Sequence, residues 1–238
     1  MKLINNIIEP KRVLVIWQAP DKTLNLPTGD RFIVGEITND GVSTRLKYYD
    51  NDTVNAAVQA GFSGFTAYPY EVNKEYNGNL MEVLSKRLPP SARADFADYL
   101  RSYRISPGMG EISPLSLLAY TGGKLAGDGF TFAHTFEDTA PPFDFTFEIA
   151  GFRHNGLKAF PDLSVLQDVV VQLADDNSNA HDKEAMAVQY QGQVLGYVPK
   201  GTNGIVRQLI ASHRVSATIE KINGTADRPN VMVFVAVR

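Results

Sequence analysis

The run from Asp175 to Glu184 gathers hydrogen-bonding side chains at the entrance to an alternating apolar stretch. It reads DDNSNAHDKE and includes Asn179, His181 and Asp182 within four residues. Asp and Asn close turns and cap backbone groups, so a solvated loop is one interpretation. A binding loop is the other, because carboxylate, amide and imidazole groups can together contact a polar ligand. The residues of the run leave both interpretations open.

Two further segments carry groups that could complete such a site. GFRH, residues 151–154, supplies a cation and a ring at a predicted strand end, and GYVPK, residues 196–200, supplies another of each. If this region closes into a barrel, these strand ends meet on one rim. Cations suit phosphates, flat rings suit bases and a carboxylate accepts a bond from a free sugar hydroxyl, which favours a nucleic-acid end over a long strand. The candidate residues are Arg153, His154, Asn179, His181, Asp182, Tyr197 and Lys200.

Other chemistries find weaker patterns. The glycine-rich TGGKLAGDG follows a predicted helix, and its Lys124 precedes Leu125, so it fits a turn better than a phosphate-binding loop. No GxSxG elbow and no paired-histidine spacing occurs. We therefore predict no catalytic residue, no cofactor and no metal, and expect a protein that is not an enzyme. A metal-dependent nuclease would need a carboxylate cluster that the sequence does not display.

Composition limits the partners and the compartment. The 238 residues suit one large or two small domains, and the chain has no cysteine, which excludes disulfides and thiolate zinc sites. A net charge of −3 argues against coating nucleic acid by charge alone, although a local basic pocket is compatible with it. The N-terminal MKLINNIIEPKR has no signal-peptide pattern and no long apolar run follows, so we expect a soluble, cytoplasmic protein with no membrane partner.

The first half of the chain alternates between strand and helix patterns. Strands are predicted at Arg12–Gln18, at residues 31–38, in STRLKYYD and in FTFAHTF. Helices are predicted from Asp52 or Thr53 to Gly61, over residues 79–88, after Ser91 as cap, and from Ser113 with Pro114 in the first turn. The pattern indicates an α+β domain. The stretch EDTAPPFDF, with two prolines and no periodicity, places the boundary near residue 140.

The second half is denser in strands. They are predicted in FDFTFEIAGFR, DVVVQLADD, AMAVQY, VLGYVP, RVSATIEKIN and NVMVFVAVR, with one helix in TNGIVRQLIAS. Six short strands and one helix in about 95 residues favour a small, closed or nearly closed barrel. From residue 143 onward, 9 Lys and Arg stand against 10 Asp and Glu.

Residues from about 145 to 238 resemble the HIRAN domain. The likeness rests on GFRH, DDNSNAHDKEAMAV, GYVPK and INGTADRPNVMVFV, in that order. The resemblance implies an oligonucleotide-binding-like barrel that captures the 3′ end of single-stranded DNA. It implies that Asp182 accepts the 3′-hydroxyl, that His181 stacks on the end base, and that Arg153 and Lys200 hold phosphates. Tyr197 would lie beside the terminal nucleotides, and Asn179 would support the loop or contact the sugar.

One departure concerns stacking. The family's DNA-binding member follows its arginine with two aromatic residues, whereas Arg153 is followed here by His154 and Asn155. This chain therefore has a weaker stacking platform at that position.

The first half resembles the N-terminal subdomain of HipA-type toxin kinases. The likeness rests on FIVGEITNDGVSTRLKYYD, LPPSARADFADYL and SPLSLLAYTGGKLAGDGFTFA. The resemblance implies a protein-interaction role without phosphotransfer, because nothing in the chain resembles the kinase core. The predicted domains are thus 1–140, a HipA-subdomain-like interaction domain, and 141–238, a HIRAN-like barrel.

The leading hypothesis is a non-catalytic, two-domain protein that binds the 3′-hydroxyl end of single-stranded DNA. Residues 1–140 would then bind a protein, either a kinase or a helicase. The alternative is an antitoxin-like regulator of a HipA-type kinase that does not bind DNA.

Overall fold

A computed structural model describes residues 2–20, 30–180 and 182–238. Within them the chain forms two compact units. The N-terminal unit comprises residues 7–99 and 108–139, as far as they are described. The C-terminal unit comprises residues 140–238 together with residues 2–6 and 100–107. Two short segments of the first half of the chain therefore pack with the second half.

The N-terminal unit is built around a five-stranded antiparallel sheet. Its elements in chain order are β1 (Arg12–Gln18), β2 (Arg31–Asn39), β3 (Thr44–Tyr48), α1 (Asp52–Gln59), β4 (Gly64–Phe65), β5 (Tyr68–Pro69), β6 (Glu75–Tyr76), α2 (Leu80–Leu84) with a 3-10 turn (Ser85–Arg87), α3 (Phe96–Ser102), which runs into the C-terminal unit, α4 (Pro114–Thr121) and β7 (Phe130–His134). The strand order is β6-β3-β2-β1-β7, and β4 pairs with β5 alone. The predicted α+β character is confirmed.

Helix starts follow capping chemistry at two places and depart from it at a third. The Asn51 side chain accepts the Val54 N–H at the start of α1, and Ser113 caps α4 as predicted. The cap predicted at Ser91 is wrong, because α3 begins at Phe96. Residues 91–95 instead form turns, in which the Arg93 guanidinium contacts the Asp95 carboxylate at 2.6 Å.

The C-terminal unit is a six-stranded antiparallel sheet with short helices. Its elements are β8 (Phe143–Glu148), a 3-10 helix (Phe152–His154), α5 (Gly156–Ala159), a 3-10 helix (Leu163–Leu166), β9 (Val170–Asp175), β10 (Met186–Tyr190), β11 (Gln193–Tyr197), α6 (Asn203–Ser212), β12 (Val215–Thr225) and β13 (Arg228–Val237). The strand order is β11-β10-β9-β12-β13-β8, which confirms the predicted mainly-β second half.

The two edge strands of this sheet meet. Just past the end of β8, the Ala150 N–H donates to the Tyr197 carbonyl at 2.8 Å, and the Tyr197 N–H donates back to Ala150 at 2.9 Å. The sheet therefore curls until β8 and β11 join at one end, as in an oligonucleotide-binding-like barrel. Alternate residues of β13, from Val231 to Val237, are fully buried on the concave side.

The convex face of β12 and β13 is covered by the two short segments from the first half of the chain. Ile4 and Ile105 form a parallel bridge there. Glu220, 2% exposed, accepts the Lys2 backbone N–H at 2.7 Å, and its carbonyl accepts the Arg104 guanidinium at 2.7 Å. The buried carboxylate is thereby compensated by the Lys2 N–H and by Arg104 Nη2, which lies 3.6 Å from Oε1.

No helix in the described parts of the chain is both long enough and apolar enough to cross a bilayer.

One buried histidine, His134, makes the stability of the N-terminal unit depend on pH. The His134 Nδ1 accepts the Phe136 N–H at 2.8 Å, and Nε2 lies 3.0 Å from the Ile8 carbonyl. Nε2 therefore carries the proton, and a second proton on Nδ1 would displace the Phe136 N–H. Burial lowers the pKa of His134 to about 4, against a partial opposing effect of the Ile8 carbonyl.

This arrangement predicts that the N-terminal unit loses stability as pH falls from 7 to 5. The unfolded chain binds a proton at His134 near pH 6.5, whereas the folded chain resists protonation until about pH 4. The free energy of unfolding should drop by about 2 kcal/mol between pH 7 and pH 5. Urea unfolding followed by the fluorescence of Trp17, the single tryptophan, measures this drop.

The matched comparison is between His134→Gln and His154→Gln. The first variant should lose most of the pH dependence, and the second, at an exposed histidine of the C-terminal unit, should keep it. An unchanged slope in His134→Gln would contradict the assignment.

Candidate nucleic-acid interface

Barrel closure brings three segments together at one rim of the C-terminal unit. Pairing of Ala150 with Tyr197 sets residues 151–154 beside β11, and the Tyr197 hydroxyl donates to Asp176 Oδ2 at 3.1 Å. The third segment is the loop between β9 and β10, described at residues 176–180 and 182–185. We call these segments, with the turn of residues 198–202, the rim.

Arg153 and His154 lie in a 3-10 helix of the rim. Gly151 adopts a left-handed φ of 70°, which ends the extended chain, and the His154 N–H then donates to the Gly151 carbonyl at 3.0 Å. The prediction that these two residues end a strand is therefore wrong. Both side chains are exposed, with Arg153 Nη2 at 3.3 Å from His154 Nε2.

The polar loop uses many of its side chains to hold its own backbone. The Asp176 carboxylate accepts the backbone N–H and the hydroxyl of Ser178, at 3.2 and 2.7 Å. Asn179 Oδ1 accepts the Asp182 N–H at 3.0 Å, and Asp182 Oδ1 accepts the Glu184 N–H at 2.9 Å. Turn formation thus explains a large share of this polar run.

Asp182 keeps a free acceptor after these turns are made. Its Oδ2 accepts no hydrogen bond from a described residue, and the side chain is partly exposed. Lys200, also partly exposed, follows β11 and forms no ion pair within the described parts of the chain. The predicted stacking residue His181 lies outside the described residues.

Sequence reasoning missed the residues that hold the loop from outside. Arg207 of α6 contacts Asp175 Oδ1 through Nε at 2.9 Å and Nη2 at 2.8 Å, and Nη2 also donates to the Glu184 carbonyl at 3.0 Å. The buried amide of Asn203 donates to the same carbonyl at 2.8 Å. These contacts join residues about 20 to 30 positions apart, so no local signal could have revealed them.

The rim mixes fixed negative and positive groups. A hydrogen bond from Ser178 lowers the pKa of Asp176 most, and the Tyr197 hydroxyl adds to this effect. Burial, then the Asp176 carboxylate, raises the pKa of Tyr197. The Arg153 charge is close enough to help lower the pKa of Asp227, after the larger effect of Thr225. Such a mixture suits contact with few phosphates rather than many.

No group of three acidic or histidine side chains that could hold a metal ion occurs among the residues that the structure describes.

Closure of the barrel predicts a strong effect of a single methyl group at Gly196. A Cβ there would lie 2.5 Å from the Ala150 carbonyl oxygen and 2.6 Å from the Ile149 side chain. Gly196→Ala should destabilise the C-terminal unit by about 1 to 3 kcal/mol, because the paired edges must separate. Differential scanning calorimetry measures the loss.

The matched control is Gly204→Ala in α6, where a Cβ would meet nothing within 4 Å. This variant should be neutral or slightly stabilising, since alanine favours the helix. Equal effects of the two substitutions would refute the close-approach argument.

Comparison with known proteins places a family on the C-terminal part of the chain. Residues 142–237 match the family model of the HIRAN domain. The crystal structure of the HIRAN domain of human HLTF is similar at 16% identity and a TM-score of 0.31, covering 40% of this chain and 74% of that chain. A protein from Lactobacillus plantarum is similar at 18% identity and a TM-score of 0.32, covering 41% of this chain and 95% of that chain.

A comparison with curated proteins finds no match. The family and structure comparisons give no support to the likeness of the first half to HipA-type kinases. The predicted resemblance of the second half is confirmed, because residues 142–237 match the HIRAN domain.

Proposed function

We propose that the rim binds the 3′ end of single-stranded DNA. The observation that carries the proposal is the state of Asp182, whose Oδ1 accepts the Glu184 N–H while Oδ2 accepts no bond from a described residue. A carboxylate fixed in this way is ready to accept one hydrogen bond from a sugar hydroxyl. The HIRAN match of residues 142–237 supports nucleic acid as the ligand class.

The neighbouring groups fit the remaining parts of a nucleotide end. Arg153 and Lys200 are cations without an ion pair to a described residue, and they would contact phosphates. The hydroxyl of Tyr197 is engaged by Asp176, which leaves its ring as the part that would contact the terminal nucleotides. Asn179 would act mainly by holding Asp182, because its Oδ1 accepts the Asp182 N–H.

The same arrangement would select against other strand ends. A carboxylate repels a 3′-phosphate, whereas a 3′-hydroxyl can donate to it. His154, and His181 beside Asp182 in the sequence, would supply flat rings for the end base. The end is thus recognised by one directional bond and the strand by a small number of charge contacts.

The role of residues 1–140 in binding a protein partner stays a prediction. The rival hypothesis is a regulator that does not bind DNA, and it predicts no binding in any oligonucleotide assay. A protein of that kind would be indifferent to substitutions on the rim.

We expect Asp182→Asn to weaken binding of a strand that ends in a 3′-hydroxyl by about fivefold to tenfold, or about 1 kcal/mol. The amide removes the charge that strengthens the hydroxyl bond, while its oxygen can still accept the Glu184 N–H and preserve the turn. Fluorescence anisotropy of a 5′-labelled strand at low salt measures the affinity. The same strand with a 3′-phosphate should bind the native protein weakly.

The matched control is Glu184→Gln, which removes one negative charge from the same loop at an exposed side chain that forms no hydrogen bond with a described residue. It should leave the preference for the hydroxyl end intact. Equal affinity of the native protein for both ends, or equal effects of the two variants, would overturn the assignment of Asp182.

A further inference from the structure

A basic groove lies on the convex face of the C-terminal unit, away from the rim. It runs where β12 begins and β13 ends, beside the start of β8. Its lining includes Lys2, Asp144, Arg214, Ser216, Phe234 and Arg238. Since Ala236 pairs with Asp144 and Ser216 pairs with Ala236, these strand positions are direct neighbours.

The groove carries more positive charge than its ion pair neutralises. Arg238 Nη2 contacts Asp144 Oδ1 at 2.8 Å, so these two charges offset each other. Lys2 Nζ donates to the Thr218 hydroxyl at 2.9 Å and has no carboxylate partner among the described residues. The Arg214 guanidinium, which is exposed, makes no hydrogen bond or ion pair with any described residue.

The nearby buried carboxylate does not cancel this excess. Glu220 accepts the Lys2 backbone N–H and lies 3.6 Å from Arg104 Nη2, so its negative charge is offset by these two partners. Two cations, Lys2 and Arg214, are therefore left to face solvent together. From position 143 onward the chain has 9 basic residues, Arg214 among them, and 10 acidic residues.

We infer that this groove binds phosphodiester groups of the same single strand whose 3′ end occupies the rim. The inference rests on the proposed function for the identity of the strand. From Asp144 in β8 to Ala150, just past the end of that strand, the chain advances six residues, or about 20 Å. A strand of about twelve nucleotides spans this distance, whereas one of about three nucleotides, at about 3.4 Å each when stacked, does not.

Charge and donors favour phosphates in the groove. An ammonium and a guanidinium are the groups that contact phosphate oxygens, and the exposed Ser216 hydroxyl adds a neutral donor. Phe234 is buried at the floor, with Lys2 Nζ at 5.8 Å from its ring, so the floor offers no open ring for a base. The groove would thus add affinity and no base preference.

The test compares 5′-labelled strands of three and twelve nucleotides, both ending in a 3′-hydroxyl. The native protein should bind the longer strand more tightly. The double variant Lys2→Gln with Arg214→Gln should weaken the longer strand about fivefold and leave the shorter unchanged. The slope of log affinity against log salt should fall by about 0.7 for each phosphate that the variant no longer neutralises.

Two further variants control the result. Lys47→Gln with Lys86→Gln removes the same charge from the N-terminal unit and should leave both affinities unchanged. Arg214→Gln alone, at a side chain without a described partner, separates the removal of charge from disturbed packing at Lys2 and should retain part of the effect.

The outcomes distinguish the groove from the rim. If the double variant weakens the longer strand while Asp182→Asn changes neither strand, the groove stands and the rim proposal fails. If the longer strand gains nothing over the shorter, or keeps its gain in the double variant, the groove proposal is overturned. A labelled hexaglutamate peptide that binds in place of DNA, and depends on Arg214, would also overturn it.

Discussion

Two backbone hydrogen bonds between Ala150 and Tyr197 determine what the C-terminal unit can do. They join the edges of a six-stranded sheet and set residues 151–154 beside β11. The pairing is possible because Gly196 has no Cβ, since a methyl group there would lie 2.5 Å from the Ala150 carbonyl oxygen. The left-handed Gly151 then turns the chain into a 3-10 helix that exposes Arg153. Tyr197 also connects the joined edges to the polar loop, because its hydroxyl donates a hydrogen bond to Asp176.

The polar loop shows that turn formation and ligand binding need not be alternatives. Asp176 and Asn179 hold the backbone through side-chain hydrogen bonds, and Arg207 with Asn203 secures the end near Glu184. Each of these bonds already restricts the loop in the free protein. Less conformational entropy is therefore lost when a ligand binds. A loop ordered in advance keeps a free acceptor in one place, whereas a loose loop would have to be ordered by the ligand.

Local patterns in the sequence predict most elements of this fold. Alternation located β1 and the six strands of the second half, and the Ser113-Pro114 pair located α4. Prediction failed where distant contacts decide the structure. Because turns form around Arg93, α3 begins later than expected. The left-handed Gly151 ends the extended chain before Arg153, where a strand end was expected. Residues 2–6 pack on strands that lie more than 200 positions away in the sequence. For the candidate site, residue types identified the three segments, but the contacts of Asp176, Asn203 and Arg207 depend on how α6 and β11 meet the loop, which spacing does not encode.

The formal charge of the C-terminal unit understates its capacity to attract an anion. Of its acids, Asp144 pairs with Arg238, Asp175 pairs with Arg207, and Glu220 is buried beside Arg104. A close pair of opposite charges acts at a distance as a dipole, whose field decays faster than that of a single charge and is further screened by salt. Cations that have no ion pair with a described residue, among them Arg153, Lys200, Lys2 and Arg214, then dominate the field at their own locations. Two of these, Arg153 and Lys200, belong to the rim, and two, Lys2 and Arg214, belong to the groove. Separation of this kind gives a nearly neutral surface the means to hold a few phosphates at defined positions without attracting polyanions over its whole area.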